Sequence, residues 1–225
     1  MKHIVDIDHW DRRDNYLFMK DFQNSWYSVT TEVDCTHAWN EAKSTHTSFF
    51  IRYLYALMRA VNEVRNFSYR RDKDGRVCWF DTIDATVPLA VPHKTFYTVR
   101  IPYIEDYSTF YNKVKEITMN IPADGDPYGV NRAIIEKGDM DVVNISVTPA
   151  LYFSSMTYTF FQPGVGSHWP LMNVGKIVIR EGRKVAPVGI YVDHAFVDGS
   201  DISEFVEKAQ QYLDMPLLMD ELVNI

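Results

Sequence analysis

A histidine and an aspartate stand four residues apart in the stretch YVDHAFVDGSD (residues 191–201), where an apolar run stops. A neutral imidazole accepts a proton through one ring nitrogen when a fixed acceptor on the other nitrogen sets the tautomer. His194 could therefore act as a general base, and Asp198 could orient it or serve elsewhere. The pattern is short, and a buried, hydrogen-bonded histidine beside a turn aspartate would give the same letters. Spacing alone leaves both interpretations open.

The segments on either side of His194 must position it. VAPVGIYVD (185–193) predicts a strand that is buried on at least one face. Gly199 allows a sharp exit from that strand. The apolar spacing after it predicts a helix over 200–215, and Asp201 with Glu204 three residues on fits a capping box. His194 would then stand between a strand end and a helix start.

The rest of the chain interleaves strands and helices without strict alternation. Predicted strands are 26–34, 96–103, 142–160 with a bend at Pro149, and two strands within 173–194 that turn at Glu181-Gly182. A hairpin is predicted at Asp74-Gly75, and helices are predicted near 8–22, from Thr36, and over 47–67 and 108–121. Residues 122–141 are predicted to form a loop. This order favours an α+β two-layer sandwich, with a mixed β-sheet packed against helices, in one domain spanning 1–225.

Composition excludes several classes of protein. The chain has 225 residues, 46% of them hydrophobic, a net charge of −7 and no long basic run, so nucleic acid is not expected as a partner. Neither a secretory signal nor a membrane span is expected. Two cysteines are too few for a disulfide framework, which indicates a reduced, cytoplasmic protein. The seven histidines are scattered, so no metal site is expected.

Further motifs make the chain resemble the chloramphenicol acetyltransferase family over nearly its whole length. They are HWDRRDNYLFM (9–19), FYTVRIPY (96–103), VNISVTP (143–149) and the ungapped run from NVGKIVI to DHAFVDG (173–199). The H-x-x-x-D-G pattern alone also occurs in dihydrolipoyl acyltransferases and in peptide-synthetase condensation domains. Its combination with the other motifs is more specific, and it implies the chloramphenicol-acetyltransferase-like form of the predicted sandwich.

The resemblance implies direct transfer of acetyl from acetyl-CoA, a co-substrate, to an alcohol, with no permanently bound cofactor. His194 matches the family's general base, and Ser146 matches a serine that donates to the oxyanion. Asn144 matches the neighbour that supports the serine's strand. Arg12 and Asp198 match a buried ion pair that would shape the turn carrying His194, while the backbone would fix the tautomer of His194.

The acceptor pocket departs from the family pattern. Positions that match the family's aromatic pocket residues are Phe18, Tyr27 and Phe96. Met19 stands where a pocket tyrosine is expected, and an alanine, a phenylalanine and a leucine are replaced by Thr98, Met156 and Tyr158. The loop 122–141 is longer than its counterpart, and Asp193 replaces the first histidine of a histidine pair. Chloramphenicol is therefore one candidate acceptor among several small alcohols.

The resemblance also implies partners. Asn173 stands where the family has a threonine near the CoA channel, and Lys176 matches a lysine that could contact a CoA phosphate. Family members are homotrimers whose active sites lie between subunits. Two other hypotheses remain open. One is an acyltransferase with a different donor or acceptor, such as a sugar or a dihydrolipoyl thiol; the other is a non-catalytic trimer that binds a small ligand.

Overall fold

The computed structural model describes residues 1–22, 25–92, 94–122, 124–138, 140–159 and 169–217. The strands are β1 (Lys2–Ile4), β2 (Trp26–Asp34), β3 (Tyr69–Arg71), β4 (Val77–Phe80), β5 (Asp84–Val91), β6 (Lys94–Ile101), β7 (Val142–Thr148), β8 (Leu171–Gly175), β9 (Val178–Arg180) and β10 (Arg183–Asp193). The helices are α1 (Arg13–Met19), α2 (Thr36–Ser44), α3 (Phe49–Glu63), α4 (Tyr107–Met119), α5 (Gly129–Lys137) and α6 (Gly199–Asp214), with short 3-10 turns at Ile7–His9 and Arg65–Ser68.

The larger of the two sheets in the described residues is mixed. Its order is β2-β10-β8-β7-β5-β6, with β9 also paired to β10. β7 runs parallel to both β5 and β8, and the other neighbours are antiparallel. A smaller antiparallel sheet has the order β1-β4-β3. The predicted α+β architecture with a mixed sheet is confirmed.

Helices α3 and α6 pack together and close the core over the larger sheet. The Ser48 hydroxyl accepts a hydrogen bond from the Ile51 N–H (3.4 Å) and so begins α3. α3 is buried on nearly every side, as befits a helix between a sheet and other helices. α6 buries one stripe, made of Ile202, Phe205, Ala209 and Leu213. This second helix starts immediately after the His194 turn, so its packing anchors that turn.

Both predicted hairpin turns are confirmed. Gly75 has a φ of +76° in the turn between β3 and β4. Glu181 and Gly182 have φ of 50° and 78° between β9 and β10. Two consecutive positive φ values match the right-handed twist of the flanking strands. The predicted strands at 26–34 and 96–103 and the predicted helices at 47–67, 108–121 and 200–215 are also present, with ends that differ by up to four residues.

The predicted loop at 122–141 was wrong in its centre, which forms α5. This helix ends at Gly138, whose φ is +75° and whose N–H donates to the Ile134 carbonyl (2.9 Å). Ile134 is buried beside Met140, Val142 and Trp169. Burial against distant parts of the chain stabilises this helix. The turn-forming residues of the segment, on which the loop prediction was based, did not indicate a helix. Residues 123 and 139 of the predicted loop lie outside the described residues.

Several other predicted boundaries were wrong as well. The strand predicted at 142–160 ends at Thr148, immediately before Pro149, and Phe160 lies outside the described residues. The first of the two strands predicted in 173–194 is split into β8 and β9. The helix predicted near 8–22 is a 3-10 turn followed by α1. The capping pair of α6 is Asp198 with Asp201, because the Asp201 carboxylate accepts from the Asp198 N–H (2.6 Å).

Within the described ranges, no helix is both long and apolar enough to cross a bilayer. The same residues contain no group of three or more His, Cys, Asp or Glu side chains placed to share a metal ion. Cys35 and Cys78 are both buried, and no disulfide joins them.

Candidate active site

His194 occupies the turn that follows β10, and its backbone is held on both sides. Its N–H donates to the Ser25 carbonyl (2.9 Å), and its carbonyl accepts from the Asn15 side chain (3.2 Å). The Tyr27 ring lies against the imidazole, with 4.7 Å between ring centroids. The Tyr27 hydroxyl donates to the Val197 carbonyl (3.2 Å), and burial raises its pKa to about 12. Two separate segments, α1 and the start of β2, therefore fix the position of this turn.

The predicted ion pair between Arg12 and Asp198 is confirmed. Arg12 Nη1 donates to Asp198 Oδ2 (2.7 Å) and Nη2 donates to Oδ1 (3.0 Å). Hydrogen bonding from Arg12 lowers the pKa of the Asp198 carboxyl. The expected burial is only partial, since the Asp198 side chain is 38% exposed and that of Arg12 is 13% exposed. Two parallel charge-assisted bonds nevertheless fix the carboxylate plane at the start of α6.

The imidazole of His194 presents its two nitrogens differently. Nδ1 is buried, lies 3.3 Å from Asp198 Oδ1, and makes no aligned hydrogen bond within the described residues. The expected backbone acceptor for this nitrogen is therefore not seen there. The nearby carboxylate favours a proton on Nδ1 electrostatically. The side chain as a whole is 41% exposed, which leaves Nε2 as the ring nitrogen that can take a proton from a ligand.

A cavity of about 540 Å³ lies beside β7 and β8. Ser146 and Asn144 of β7 and Asn173 of β8 line it, and Ser146 and Asn173 are register partners in the sheet. The cavity is large enough for a small-molecule ligand. The Ser146 hydroxyl has no hydrogen-bond partner in the part of the chain that the structure describes, so it is available to a ligand in the cavity.

The two asparagine side chains of the cavity also serve the sheet. Asn144 Nδ2 donates to the Thr86 hydroxyl (3.1 Å), which ties β7 to β5. Asn173 is 3% exposed, and its Oδ1 accepts from the Thr148 hydroxyl (3.0 Å). Both amides therefore hold the strand that carries Ser146 from either side. Each keeps further hydrogen-bonding capacity for a ligand.

His194 and Ser146 lie far apart within one chain. Ser146 pairs with Asn173, and Asn173 pairs with Gly189 of β10, five residues before His194. Two strand spacings across the sheet and five residues along it place the two Cα atoms roughly 20 Å apart. A general base and an oxyanion donor must both reach the reacting group at hydrogen-bond distance. One chain therefore does not bring both side chains to the same acetyl group.

The predicted acceptor residues fall into separate places. Met156 and Tyr158 line the cavity. The Tyr158 hydroxyl donates to the Gly189 carbonyl (2.8 Å), and burial raises its pKa. Thr98 is buried, with 2% of its surface exposed. Phe96 packs edge-on against Tyr128, a residue of the cavity lining, with 5.1 Å between the ring centroids. Phe96 and Thr98 themselves stand outside the cavity lining.

The other predicted binding residues also lie outside the cavity lining. Phe18, at the end of α1, is 65% exposed and packs edge-on against Phe22. Met19 packs against the main core. Lys176 has an exposed side chain, and its N–H donates to the Leu151 carbonyl (2.8 Å).

Sequence reasoning missed more than half of the cavity lining. The missed residues are Tyr128, Asn131, Arg132, Ile135, Thr159, Trp169 and Leu171. Three of them belong to α5, the helix that was predicted as a loop. The apolar spacing of Val130, Ile134 and Ile135 was the available signal for that helix. Recognising it would have placed Asn131 and Arg132 on one wall of a pocket.

The chain is similar to known proteins over most of its length. It matches the family described as chloramphenicol acetyltransferase over residues 2–210. A chloramphenicol acetyltransferase of Clostridium perfringens is 22% identical over 218 residues, covering 92% of this chain and 93% of that protein. One of Escherichia coli is 23% identical over 218 residues, covering 93% of each. A solved structure of a chloramphenicol acetyltransferase aligns with a TM-score of 0.91 at 43% identity, covering 95% of this chain and 100% of that one.

Proposed function

Because the chain belongs to the chloramphenicol acetyltransferase family, an acyltransferase family, we propose that it moves acetyl from acetyl-CoA to a hydroxyl of a small molecule. The observation that carries the proposal is the His194 turn. The imidazole stands between a strand end and a helix start, with Nδ1 buried beside the Arg12-bound carboxylate of Asp198. That arrangement leaves Nε2 to act as a general base.

The proposed reaction is a direct transfer. Nε2 of His194 removes the hydroxyl proton of the acceptor as its oxygen attacks the thioester carbonyl carbon. The tetrahedral intermediate then collapses, the bond between carbon and sulfur breaks, and His194 returns the proton to the sulfur. The products are an acetyl ester and free CoA. General-base assistance of this kind contributes on the order of 10²–10⁴ in rate.

Ser146 is the proposed donor to the oxyanion. Its hydroxyl faces the 540 Å³ cavity without a partner among the described residues. Asn144 and Asn173 hold its strand through Thr86 and Thr148. Donors that are fixed before reaction stabilise developing charge without reorganising, and losing one costs roughly 3 kcal/mol.

The active site is proposed to form between copies of the chain in a homotrimer. The separation of roughly 20 Å between His194 and Ser146 in one chain supports this, since the reaction needs both beside one acetyl group. His194 of one copy would face the cavity and Ser146 of the next. Phe18, Met19 and Tyr27 would then reach the acceptor from the histidine's copy, and Met156 and Tyr158 from the neighbour's.

The acetyl-CoA donor is proposed to enter along the cavity wall. Asn173 lines this cavity, and the exposed ammonium group of Lys176 lies three residues further along the chain. Lys176 would pair with a CoA phosphate. No permanently bound cofactor is required by this chemistry.

We also propose that residues 1–225 act as a single acetyltransferase domain, which the family match over 2–210 supports. A reduced cytoplasmic setting is part of the proposal. The two buried, unbridged cysteines support it, and burial raises the pKa of Cys35 to about 12, which keeps it an unreactive thiol.

The proposal is tested by quantifying free CoA by chromatography after acetyl-CoA is incubated with a panel of acceptors. The panel contains small alcohols, including chloramphenicol and sugars, and one dithiol, dihydrolipoamide. We expect release that depends on at least one alcohol and is lost in His194→Ala. If free CoA is released only when dihydrolipoamide is the acceptor, the protein would be an acyltransferase that acts on a thiol, which is one of the alternative hypotheses. Binding of an acceptor without any release would indicate a non-catalytic ligand-binding protein.

A further inference from the structure

Asp193 is a buried carboxylate directly before His194, and the reaction does not use it. The residue is 4% exposed. Its Oδ1 accepts from the Ser25 hydroxyl (2.6 Å) and from the Ala195 N–H (2.9 Å). Its Oδ2 lies 3.2 Å from Arg71 Nη1. A buried charge persists only when it is paired and hydrogen-bonded, and here both oxygens are satisfied.

The partners of Asp193 come from three separate parts of the chain. Ser25 precedes β2 and also receives the His194 N–H at its carbonyl. Ala195 is part of the turn itself, and the N–H groups of Phe196 and Val197 donate to the Asp193 carbonyl. Arg71 ends β3 of the smaller sheet and lies over the ring of Phe196 (5.3 Å). Asp193 therefore links the smaller sheet, through Arg71, and the segment before β2, through Ser25, to the backbone that flanks His194.

No substrate can reach this carboxylate in the described structure. The open space beside it, lined in part by Asn66, Arg70 and Phe196, is about 10 Å³. That volume accommodates about one water molecule. The role of Asp193 must therefore be exerted through its contacts with other residues of the protein, without contact with substrate.

We propose that Asp193 is a positioning residue that aims the imidazole of His194. Its two bonds to Ser25 and Ala195 set the path of the backbone through His194, and Arg71 neutralises the charge that this requires. The inference rests on the proposed role of His194 as the base.

The test compares Asp193→Ala and Asp193→Asn with wild type. In Asp193→Ala we expect kcat to fall about 100-fold, because a misplacement near 1 Å costs this much, while both KM values stay within about twofold. Asp193→Asn keeps an oxygen that accepts from Ser25 and Ala195. Its kcat should therefore be at least about tenfold higher than that of Asp193→Ala. Recovery by this variant distinguishes a positioning role from loss of folded protein.

A second measurement does not depend on acetyl transfer. With ¹³Cε1-labelled histidine, the His194 resonance is identified by its loss in His194→Ala. Asp193→Ala should shift or broaden that resonance in the absence of substrates. If the protein transfers no acetyl at all, the proposed function fails, and this resonance alone still decides the positioning role.

Glu41→Ala provides the matched control. Glu41 is another largely buried carboxylate, which accepts from Arg52 Nε (2.9 Å) and the Leu217 N–H (2.8 Å). It lies beyond the far end of β2, so its loss should lower the unfolding temperature and leave kcat and the His194 resonance unchanged. An unchanged His194 resonance in Asp193→Ala, or a loss of kcat no larger than that of Glu41→Ala, would overturn the inference.

Discussion

Arg12 and Asp198 are 186 positions apart in the chain and form a two-pronged ion pair, with N–O distances of 2.7 and 3.0 Å. The pair ties the segment before α1 to the start of α6. Asp198 Oδ1 also stands 3.3 Å from Nδ1 of His194. One carboxylate therefore joins the N-terminal segment, the helix start and the imidazole.

Asp198→Asn should cost stability and activity together. At pH 7 the free energy of unfolding should fall by an amount between the roughly 1 kcal/mol that an exposed ion pair contributes and the roughly 3–5 kcal/mol lost when a buried pair is broken. Because Arg12 lowers the pKa of Asp198 in the folded protein, this stability is present above the unfolded-state pKa near 4 and is lost as the pH falls through the folded value. Urea unfolding at fixed protein concentration should show the difference between wild type and variant shrinking below about pH 4.

The control for this experiment is Asp14→Asn, since the Asp14 side chain is 95% exposed beside Arg13. It should unfold like wild type at every pH. A stability difference for Asp198→Asn that stays constant between pH 7 and pH 3 would contradict the role given to the ion pair.

Gly189→Ala should destabilise the protein by about 1–3 kcal/mol, the usual cost of overpacking. A Cβ at this position would lie 2.7 Å from the Tyr158 hydroxyl, which itself donates to the Gly189 carbonyl. Removing that hydroxyl makes room, so Gly189→Ala with Tyr158→Phe should be more stable than Gly189→Ala alone. Thermal unfolding of the two single variants and the double variant measures this coupling. Equal stability of the double variant and Gly189→Ala would show that the contact is not the cause.

Ser146→Ala should lower kcat roughly 100-fold, since its hydroxyl is proposed to act on the developing oxyanion. The KM values should change little, because the interaction strengthens only in the transition state. Steady-state kinetics with the best acceptor measures the effect, with Ser44→Ala as a control on an exposed helix end. A raised KM with unchanged kcat would assign Ser146 to ordinary binding.

Chloramphenicol should be a poor substrate or none, while acetyl-CoA still binds. The family resemblance implies that the acceptor positions Met19, Thr98, Met156 and Tyr158 depart from the family pattern, with Met19 in place of a tyrosine hydroxyl, and two of them, Met156 and Tyr158, line the cavity. The Tyr158 hydroxyl does not replace that tyrosine hydroxyl, because it is held by the Gly189 carbonyl. Lost polar partners discriminate strongly, whereas apolar swaps shift affinity by about 1–3 kcal/mol per group. A chloramphenicol kcat/KM near the diffusional ceiling of roughly 10⁸ M⁻¹s⁻¹ would contradict this reading of the pocket.

Local patterns were enough to predict much of the fold. β2 was predicted with both ends correct, because β-branched and aromatic residues fill it and Asp34 closes it. The turn at Glu181 and Gly182 was predicted because few residues accept positive φ. The His194 stretch was found from residue chemistry, but Ser146 was chosen only through the family resemblance, since a lone serine in a strand carries no signal of its own.

Features set by distant contacts could not be predicted. The apolar spacing of Val130, Ile134 and Ile135 was a local sign of α5, but the contact that stabilises this helix could not be predicted. That contact is the burial of Ile134 against Trp169, which lies 35 positions further along the chain. The role of Asp193 depends on Arg71, and no local pattern links those two residues. The distance between His194 and Ser146 follows from strand order, which requires the sheet topology. In each case the feature depends on a contact between segments that are distant in the chain, and no local sequence pattern indicates such a contact.

The most direct test mixes two variants of strongly reduced activity, His194→Ala and Ser146→Ala. If each site takes its histidine from one copy and its serine from the next, random reassembly of unfolded chains restores intact sites. In an equal mixture roughly a quarter of the sites should be intact, because each needs the right variant on both sides. Acetyl transfer should therefore rise well above that of either variant alone, towards about a quarter of the wild-type rate per site. Activity of the refolded mixture that never exceeds the average of the two separate variants would contradict a histidine-based site completed by a second copy.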